Sequence, residues 1–243
     1  MNPEYGERYR DLFENHWWWR ARSEVIIETL RRVRPANGWE GILDIGCGDG
    51  LFFPRLREFG EVEGVEPFAD LLNPANPDRS NIHVCPFDLN FQPGKQYSLI
   101  LMLDVLEHLE DPVGALRHVR DLLQPDGTVV LTVPAFMALW TNHDVINHHF
   151  TRYTKAQLRR TSKEAGLRFT EERYLYHWTC PVKMALGTTE RALHLPPKPA
   201  QVPAAWINQM LYWLSRLEQK TVTRLPMPVG SSLLVIAKRA QAG

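Results

Sequence analysis

No apolar run in this sequence approaches the roughly 18 residues that a membrane-crossing helix needs, so no transmembrane segment is expected. Residues 1–30 are polar and charged, with Glu4, Glu7, Arg8 and Arg10, and no secretory leader is legible there. Cysteine is scarce: Cys47, Cys85 and Cys180 are far apart and odd in number. They make neither a disulfide framework nor a Cys-x-x-Cys metal site, and they suit a reducing, cytoplasmic setting. An excess of one charge is also lacking. The 28 Lys and Arg balance 28 Asp and Glu, and a nucleic-acid partner, which favours a basic surface, is not expected. Repeats and low-complexity tracts are absent. What is present is 243 residues, 44% of them hydrophobic, enough for one domain with a large core and no staples.

Helical spacing of Trp18, Val25, Ile26, Leu30 and Val33 predicts one helix over 8–34, stopped by Pro35. From Gly41 onward short apolar runs alternate with helical stretches. The runs are Ile42–Ile45, Val62–Val65, Ile82–Val84, Leu99–Leu103 and Val129–Val133; helices are expected near Leu51–Phe59 and Val113–Leu123. Unalternating apolar strands separated by helices indicate a parallel sheet covered on both faces, a doubly wound α/β domain. Residues 135–153 lack periodicity and suggest a loop or cap. A helix over 155–165 leads to a strand near Phe169–Tyr176. Five prolines in 181–203 predict an irregular insertion. Helical spacing returns over 204–222, and Pro226 and Pro228 precede a last strand, Leu233–Ala237. The expectation is a seven-stranded sheet in which only that last strand is antiparallel.

Asp44-Ile45-Gly46-Cys47-Gly48-Asp49-Gly50 sits where the first strand meets the first crossover. Glycines there let the chain turn sharply and let a ligand lie against bare peptide. The spacing is G-x-G-x-G, not the G-x-G-x-x-G of dinucleotide sites. The preceding carboxylate, Asp44, repels pyrophosphate but suits a cationic amino-acid group. Glu66 ends the second strand, where an acid can accept both hydroxyls of a ribose. Asp88 follows the third strand and can accept from an adenine amino group; capping a turn is the alternative.

These residues, with Leu103–Pro112, resemble the ordered motifs of class I S-adenosylmethionine-dependent methyltransferases. Leu123-Gln124-Pro125-Asp126-Gly127 is similar to the family's turn before the fifth strand, with Asp126 in place of a glycine. The resemblance covers residues 35–135. It implies S-adenosylmethionine as cofactor, held by Asp44, Gly46, Cys47, Gly48, Glu66, Pro67, Asp88, Leu89, Leu103, Asp104 and His108. An N-terminal helix over the cofactor would add Trp18 as a shield for the sulfonium and Arg22, or Arg20, as a partner for the methionyl carboxylate. Packing of the Trp17–Trp19 run on the sheet is an equal alternative.

The acceptor is expected over the carboxyl ends of strands four and five. Segment 140–153 resembles a D…H-x-R-R-Y-T pattern of a bacterial subgroup, with Thr151 replacing the first arginine. His143, His148 and His149 there, and His108 past strand four, are candidate general bases, since His titrates near neutrality. His149 leads because it matches the subgroup pattern, while Arg152 and Tyr153 are expected to tether the loop. No metal is assigned. A smaller possibility is a divalent ion on Asp104, Glu107 and His108, at the place where quinone-biosynthesis O-methyltransferases resemble this chain.

The resulting expectation is methyl transfer to a small-molecule acceptor, foremost a phenol or alcohol oxygen. An amine acceptor, a non-catalytic cofactor-binding module and a nicotinamide dehydrogenase are alternatives; an RNA or protein substrate is disfavoured. The division expected is an N-terminal helical lid (1–35), a cofactor core (36–134), an acceptor-side cap (135–230) and a final strand (231–243). Trp206, Met210, Trp213 and Leu217 form one helical stripe. It fits burial under the insertion, a homodimer seam, or a membrane surface or lipid-like acceptor; a monomer is equally compatible.

Overall fold

The computed structural model describes residues 3–222 and 227–240. Pro226 and the ends of the expected first and last segments, residues 1–2 and 241–243, lie outside the described residues. The strands are β1 (Gly41–Ile45), β2 (Glu61–Val65), β3 (Ile82–His83), β4 (Tyr97–Leu103), β5 (Leu123–Pro134), β6 (Leu167–Leu175) and β7 (Ser232–Arg239). The helices are α1 (Pro3–Asn15), α2 (Trp17–Val33), α3 (Phe53–Leu56), α4 (Pro112–Leu122), α5 (Asn142–Ile146), α6 (Lys155–Glu164), α7 (Thr179–Ala192) and α8 (Ala205–Lys220).

One seven-stranded sheet has the order β3-β2-β1-β4-β5-β7-β6. Strands β1 to β5 pair in parallel, and β7 lies antiparallel between β5 and β6. This is the expected doubly wound sheet with one reversed strand. Its centre shows why the apolar runs do not alternate. In β4, Ile100 and Met102 join the core with Leu116, Val119 and Leu158 of α4 and α6. Leu99 and Leu101 face the other way, toward Ile26, Ile27 and Leu30 of α2. Each such side chain, fully buried, stabilises the fold by about 1.5–3 kcal/mol.

Three expectations need correction. The single helix 8–34 is two, broken at His16, whose Nδ1 accepts the Trp18 amide at 3.1 Å. Burial pulls the His16 pKa down to about 4, which keeps the ring neutral and able to accept. The stretch 51–59 holds only the single turn α3. The irregular insertion at 181–203 begins as a regular helix, α7. Pro181 lies in its first turn, where its missing N–H breaks no helical bond; the other four prolines lie in the link 193–204.

Helix α8 has the expected length, and of the readings of its stripe, burial under the insertion does not hold. Asn208, Ser215, Arg216, Glu218 and Gln219 are buried, and the Trp206–Leu217 stripe faces outward. Among the described residues no helix is long and apolar enough to cross a membrane.

Candidate active site

The carboxyl ends of β1, β2 and β4 gather the acids and glycines singled out in the sequence. Gly46, Gly48 and Gly50 all have positive φ (71°, 56° and 66°), a conformation that only glycine adopts without strain. A Cβ on Gly46 would stand 2.5 Å from Val105 Cγ2, so the bare glycine lets the loop close on the turn after β4. Cys47 lies buried within this loop.

Glu66 is buried and turned back onto the loop. Its Oε2 accepts the Gly48 amide at 3.0 Å and its Oε1 the Phe68 amide at 3.1 Å. Burial raises its pKa, against the pull of those two amides. Each oxygen retains a lone pair for a ligand hydroxyl. Asp44 is buried beside it. Burial pushes its carboxyl up to about 7; Arg22 opposes the rise and Glu66 adds to it. A buried acid without a close cation of its own is the group a ligand ammonium would satisfy.

The N-terminal helices close over this floor. Tyr9 of α1 lies against Gly48, 3.0 Å from where a Cβ would be. Arg22 of α2 pairs with Asp104 (Nε to Oδ2, 2.6 Å) and stacks under Trp18, 5.4 Å from its ring. Asp104, at φ 56°, also accepts the Thr132 hydroxyl at 3.0 Å. Trp18 leans on Tyr176 with centroids 6.2 Å apart. Leu103 lines the end of β4. Asp88 and Leu89 are not brought to the loop: both are exposed, and Asp88 Oδ1 accepts the Asn90 amide at 2.7 Å. Its capping alternative is what this conformation displays. Pro67 is exposed as well.

The acceptor side is built on α5 and the chain after it. Asp144 is fully buried and ionised. Burial would raise its pKa, but hydrogen bonds from His149 and Arg152 hold it well below the carboxylate range. Its Oδ1 accepts His149 Nδ1 and Arg152 Nε, both at 2.8 Å; its Oδ2 accepts the Thr141 amide at 2.8 Å and Arg152 Nη2 at 3.0 Å. Arg152 also donates to the Ala135 carbonyl, and the Tyr153 amide to Pro134. Both residues therefore tether the loop, as expected.

With Nδ1 donating to Asp144, the His149 Nε2 carries the free lone pair. The His149 ring meets His108 edge-on at 4.7 Å and His143 at 6.3 Å. Desolvation lowers His108 to about 4, helped by His149, and lowers His143 to about 4, helped by Lys183. His148 is exposed at φ 54° and makes no ring contact with the other three among the described residues. A shallow depression lined by Glu40, Glu61 and Lys95 sits at the opposite, amino-terminal ends of the strands, away from all of these groups.

The sequence triad for a cation also shifts. Asp104 is spent on Arg22, while Glu107, His108 and His149 each present a ligand atom within 4.8 Å of one another. Both Glu107 oxygens are buried without a hydrogen-bond partner, and burial, then Asp104, raises its pKa well above normal. A soft–hard N,N,O set of this kind suits a divalent transition metal.

Two groups at the site escaped sequence reasoning. Tyr9 gave no motif. Lys183 of α7 is half-buried, and desolvation, then Arg152, lowers it to about 8 against the pull of Asp144 and Asp104. It lay in a stretch that reads as proline-rich. The Thr141-x-x-Asp144 capping spacing was the signal available for Asp144.

The fold and the site define a class: a doubly wound, reversed-strand sheet with a glycine loop and acids at its carboxyl ends. Residues 18–172 match a family model described as a methyltransferase domain, and the chain belongs to that family. An uncharacterized methyltransferase of Schizosaccharomyces pombe is 32% identical over 134 residues, 49% of this chain and 47% of that protein. A ubiquinone biosynthesis O-methyltransferase of Bradyrhizobium diazoefficiens is 31% identical over 119 residues, 46% of this chain and 47% of its own. These matches span about half the length of the curated relatives. An S-adenosylmethionine-dependent methyltransferase from Clostridium acetobutylicum shares the fold, with TM-score 0.55, 11% identity and 92% coverage of each chain. Family and fold together imply S-adenosylmethionine as cofactor.

Proposed function

We propose that this protein transfers a methyl group from S-adenosylmethionine to an oxygen of a small-molecule acceptor, a phenol or alcohol. The observation that carries this reading is the His149–Asp144 pair beside the end of β4. It supplies an oriented base where an acceptor hydroxyl would need to lose a proton.

The residues fit the cofactor chemically. Asp44 offers a carboxylate for an ammonium, Glu66 two oxygens for a ribose diol, and Gly46 and Gly48 bare peptide. Trp18 and Arg22 close the N-terminal side, and His108, Leu103 and Asp104 form the wall toward the acceptor. Asp88, with Leu89 and Pro67, would reach an adenine only by turning inward. Bound S-adenosylmethionine supplies an electrophilic methyl carbon on a sulfonium. The protein's part is to align the acceptor lone pair and to remove its proton. His149 Nε2 takes that proton. Asp144 fixes the tautomer and stabilises the imidazolium, and Arg152 holds Asp144 in place. His108 and His143, neutral above about pH 4, act as wall and hydrogen-bond partners, and His148 is peripheral.

This reading divides the chain into an N-terminal cover (1–35), a cofactor-binding core (36–134), an acceptor-side cap (135–230) and a final strand (231–243). An activity screen with labelled S-adenosylmethionine against phenols and alcohols tests it. His149→Ala should lower turnover on the acceptor so found by roughly 10²-fold or more, with cofactor affinity unchanged by calorimetry. Full activity in that variant would remove the base from the mechanism. Methylation of amines alone would replace the oxygen acceptor.

A further inference from the structure

Helix α8 is inside out, and its polar face is locked inward. Asn208 Oδ1 accepts the Trp17 amide at 2.8 Å, and its Nδ2 donates to the Asn15 carbonyl at 2.7 Å. Arg216 pairs with Glu28 and donates to Gln219 Oε1, whose amide nitrogen donates to the Ala21 carbonyl. Glu218 accepts the Trp178 amide at 3.0 Å and faces His177. Rotating the helix to bury its apolar stripe would strand all of these groups. The outward face is therefore fixed: Trp206 is 71% exposed, Met210 53%, Trp213 60% and Leu217 62%. Helix α7 also exposes Val182 and Leu186 on one side and Met184 on the other, while its Lys183 lies toward the acceptor side. An exposed apolar stripe of this kind, continuous along α8, marks an interaction site.

We propose that the outer face of α8 docks this protein on a lipid bilayer bearing anionic headgroups. The charge pattern selects that occupant. Residues 179–222 hold five Lys and Arg and only two acids, in a chain whose charges sum to zero overall. Both acids are engaged inward: Glu218 as above, and Glu190 on the Asn142 amide at 2.8 Å. Lys198, in the link that leads into α8, and Lys220, at its end, remain exposed, while Arg191 donates to the Trp140 carbonyl. Cations around a Trp- and Leu-rich face match the headgroup layer of an anionic bilayer, and Trp prefers that depth. A two-fold contact between copies would instead set the same cations against each other. The docking does not depend on the methyl-transfer reading, and its readout is separate.

The test is co-sedimentation with phosphatidylcholine vesicles and with vesicles also containing phosphatidylglycerol, with tryptophan emission followed in parallel. The protein should pellet with the anionic vesicles and its emission should shift to the blue. Binding to phosphatidylcholine alone should be about tenfold weaker or more. Trp206→Glu/Trp213→Glu and, separately, Lys198→Glu/Lys220→Glu should each lose about tenfold or more of the binding. All four positions are exposed, so circular dichroism should be unchanged; the lysine pair keeps the test valid if the tryptophan pair misfolds. Protein that ignores both vesicle types overturns the proposal. So does equal binding by folded variants. A dimer in sedimentation velocity that Trp206→Glu/Trp213→Glu dissociates, without vesicle binding, assigns the face to a second copy instead.

Discussion

Asp144 accepts from His149, Arg152 and the Thr141 amide while shut off from water, and its removal strikes chemistry and stability together. In Asp144→Asn the Arg152 guanidinium stays buried without a counter-charge, a loss of about 3–5 kcal/mol. The variant should melt lower and turn over roughly 10²-fold more slowly, whereas His149→Ala should lose turnover with a far smaller change in melting. The Asp144 pKa is depressed in the folded state. Its contribution is therefore full above the unfolded value near 3.9 and is lost as pH falls toward the folded value. Acid unfolding below about pH 4 should be steeper in the parent than in Asp144→Asn. Asp44 behaves oppositely. Its folded pKa, about 7, lies above the unfolded one, so its contribution is present below about pH 4 and fades as pH rises to about 7. Asp44→Asn should flatten that slope in urea titrations. If a cofactor ammonium settles against Asp44, binding near pH 6 releases a proton. Calorimetry in two buffers of different ionisation enthalpy would then give different apparent enthalpies, and identical ones would place the ammonium elsewhere.

At the scale of elements, the central strands were legible because burial on both faces leaves uninterrupted apolar runs such as Leu99–Leu103. The glycine loop was legible because its spacing is dictated by backbone sterics. Gly46 shows how tightly. Gly46→Ala meets both the φ of 71° and Val105, while Gly94, at φ 72°, has nothing within 4 Å of its would-be Cβ. Gly94→Ala should cost about 1 kcal/mol and Gly46→Ala clearly more, with Val105→Ala restoring part of the difference; equal costs in chemical denaturation would refute the contact. Other elements were hidden for identifiable reasons. The break at His16 depends on a side-chain cap, which periodicity does not register. Pro181 reads as a breaker unless it is known to fall in a first turn. In α8 the spacing was legible but the direction was left open between burial, a dimer seam and a membrane surface, because the partners of Asn208, Arg216 and Gln219 that fix it lie more than 180 residues away. His149 was legible as a candidate, but Asp144 as its anchor was not, since that needs the α5 turn to be built.

At the scale of the whole molecule, α1 covers the glycine loop. Tyr9 lies against Gly48, and if the cofactor binds on this loop, its entry is expected to need α1 to lift, a gating step of the kind lids impose. Tyr9→Ala should speed S-adenosylmethionine association, followed by stopped-flow fluorescence of Trp17–Trp19, by about tenfold. An unchanged rate would mean that α1 already stands open in solution. The strand order has a consequence for how the chain is made. β6 has one neighbour in the sheet, β7, and β7 also closes β5. During synthesis β6 must therefore wait, with its backbone donors unpaired, until residues 232–239 have been translated. Exposed strand edges of this kind recruit other chains. A nascent chain arrested before Ser232 should partition into aggregates or onto chaperones, while release of eight more residues should convert it to a protease-resistant form. The reversed strand is thus the keystone of this side of the sheet: until residues 232–239 pair, the outer edge of β5 and the whole of β6 stay open.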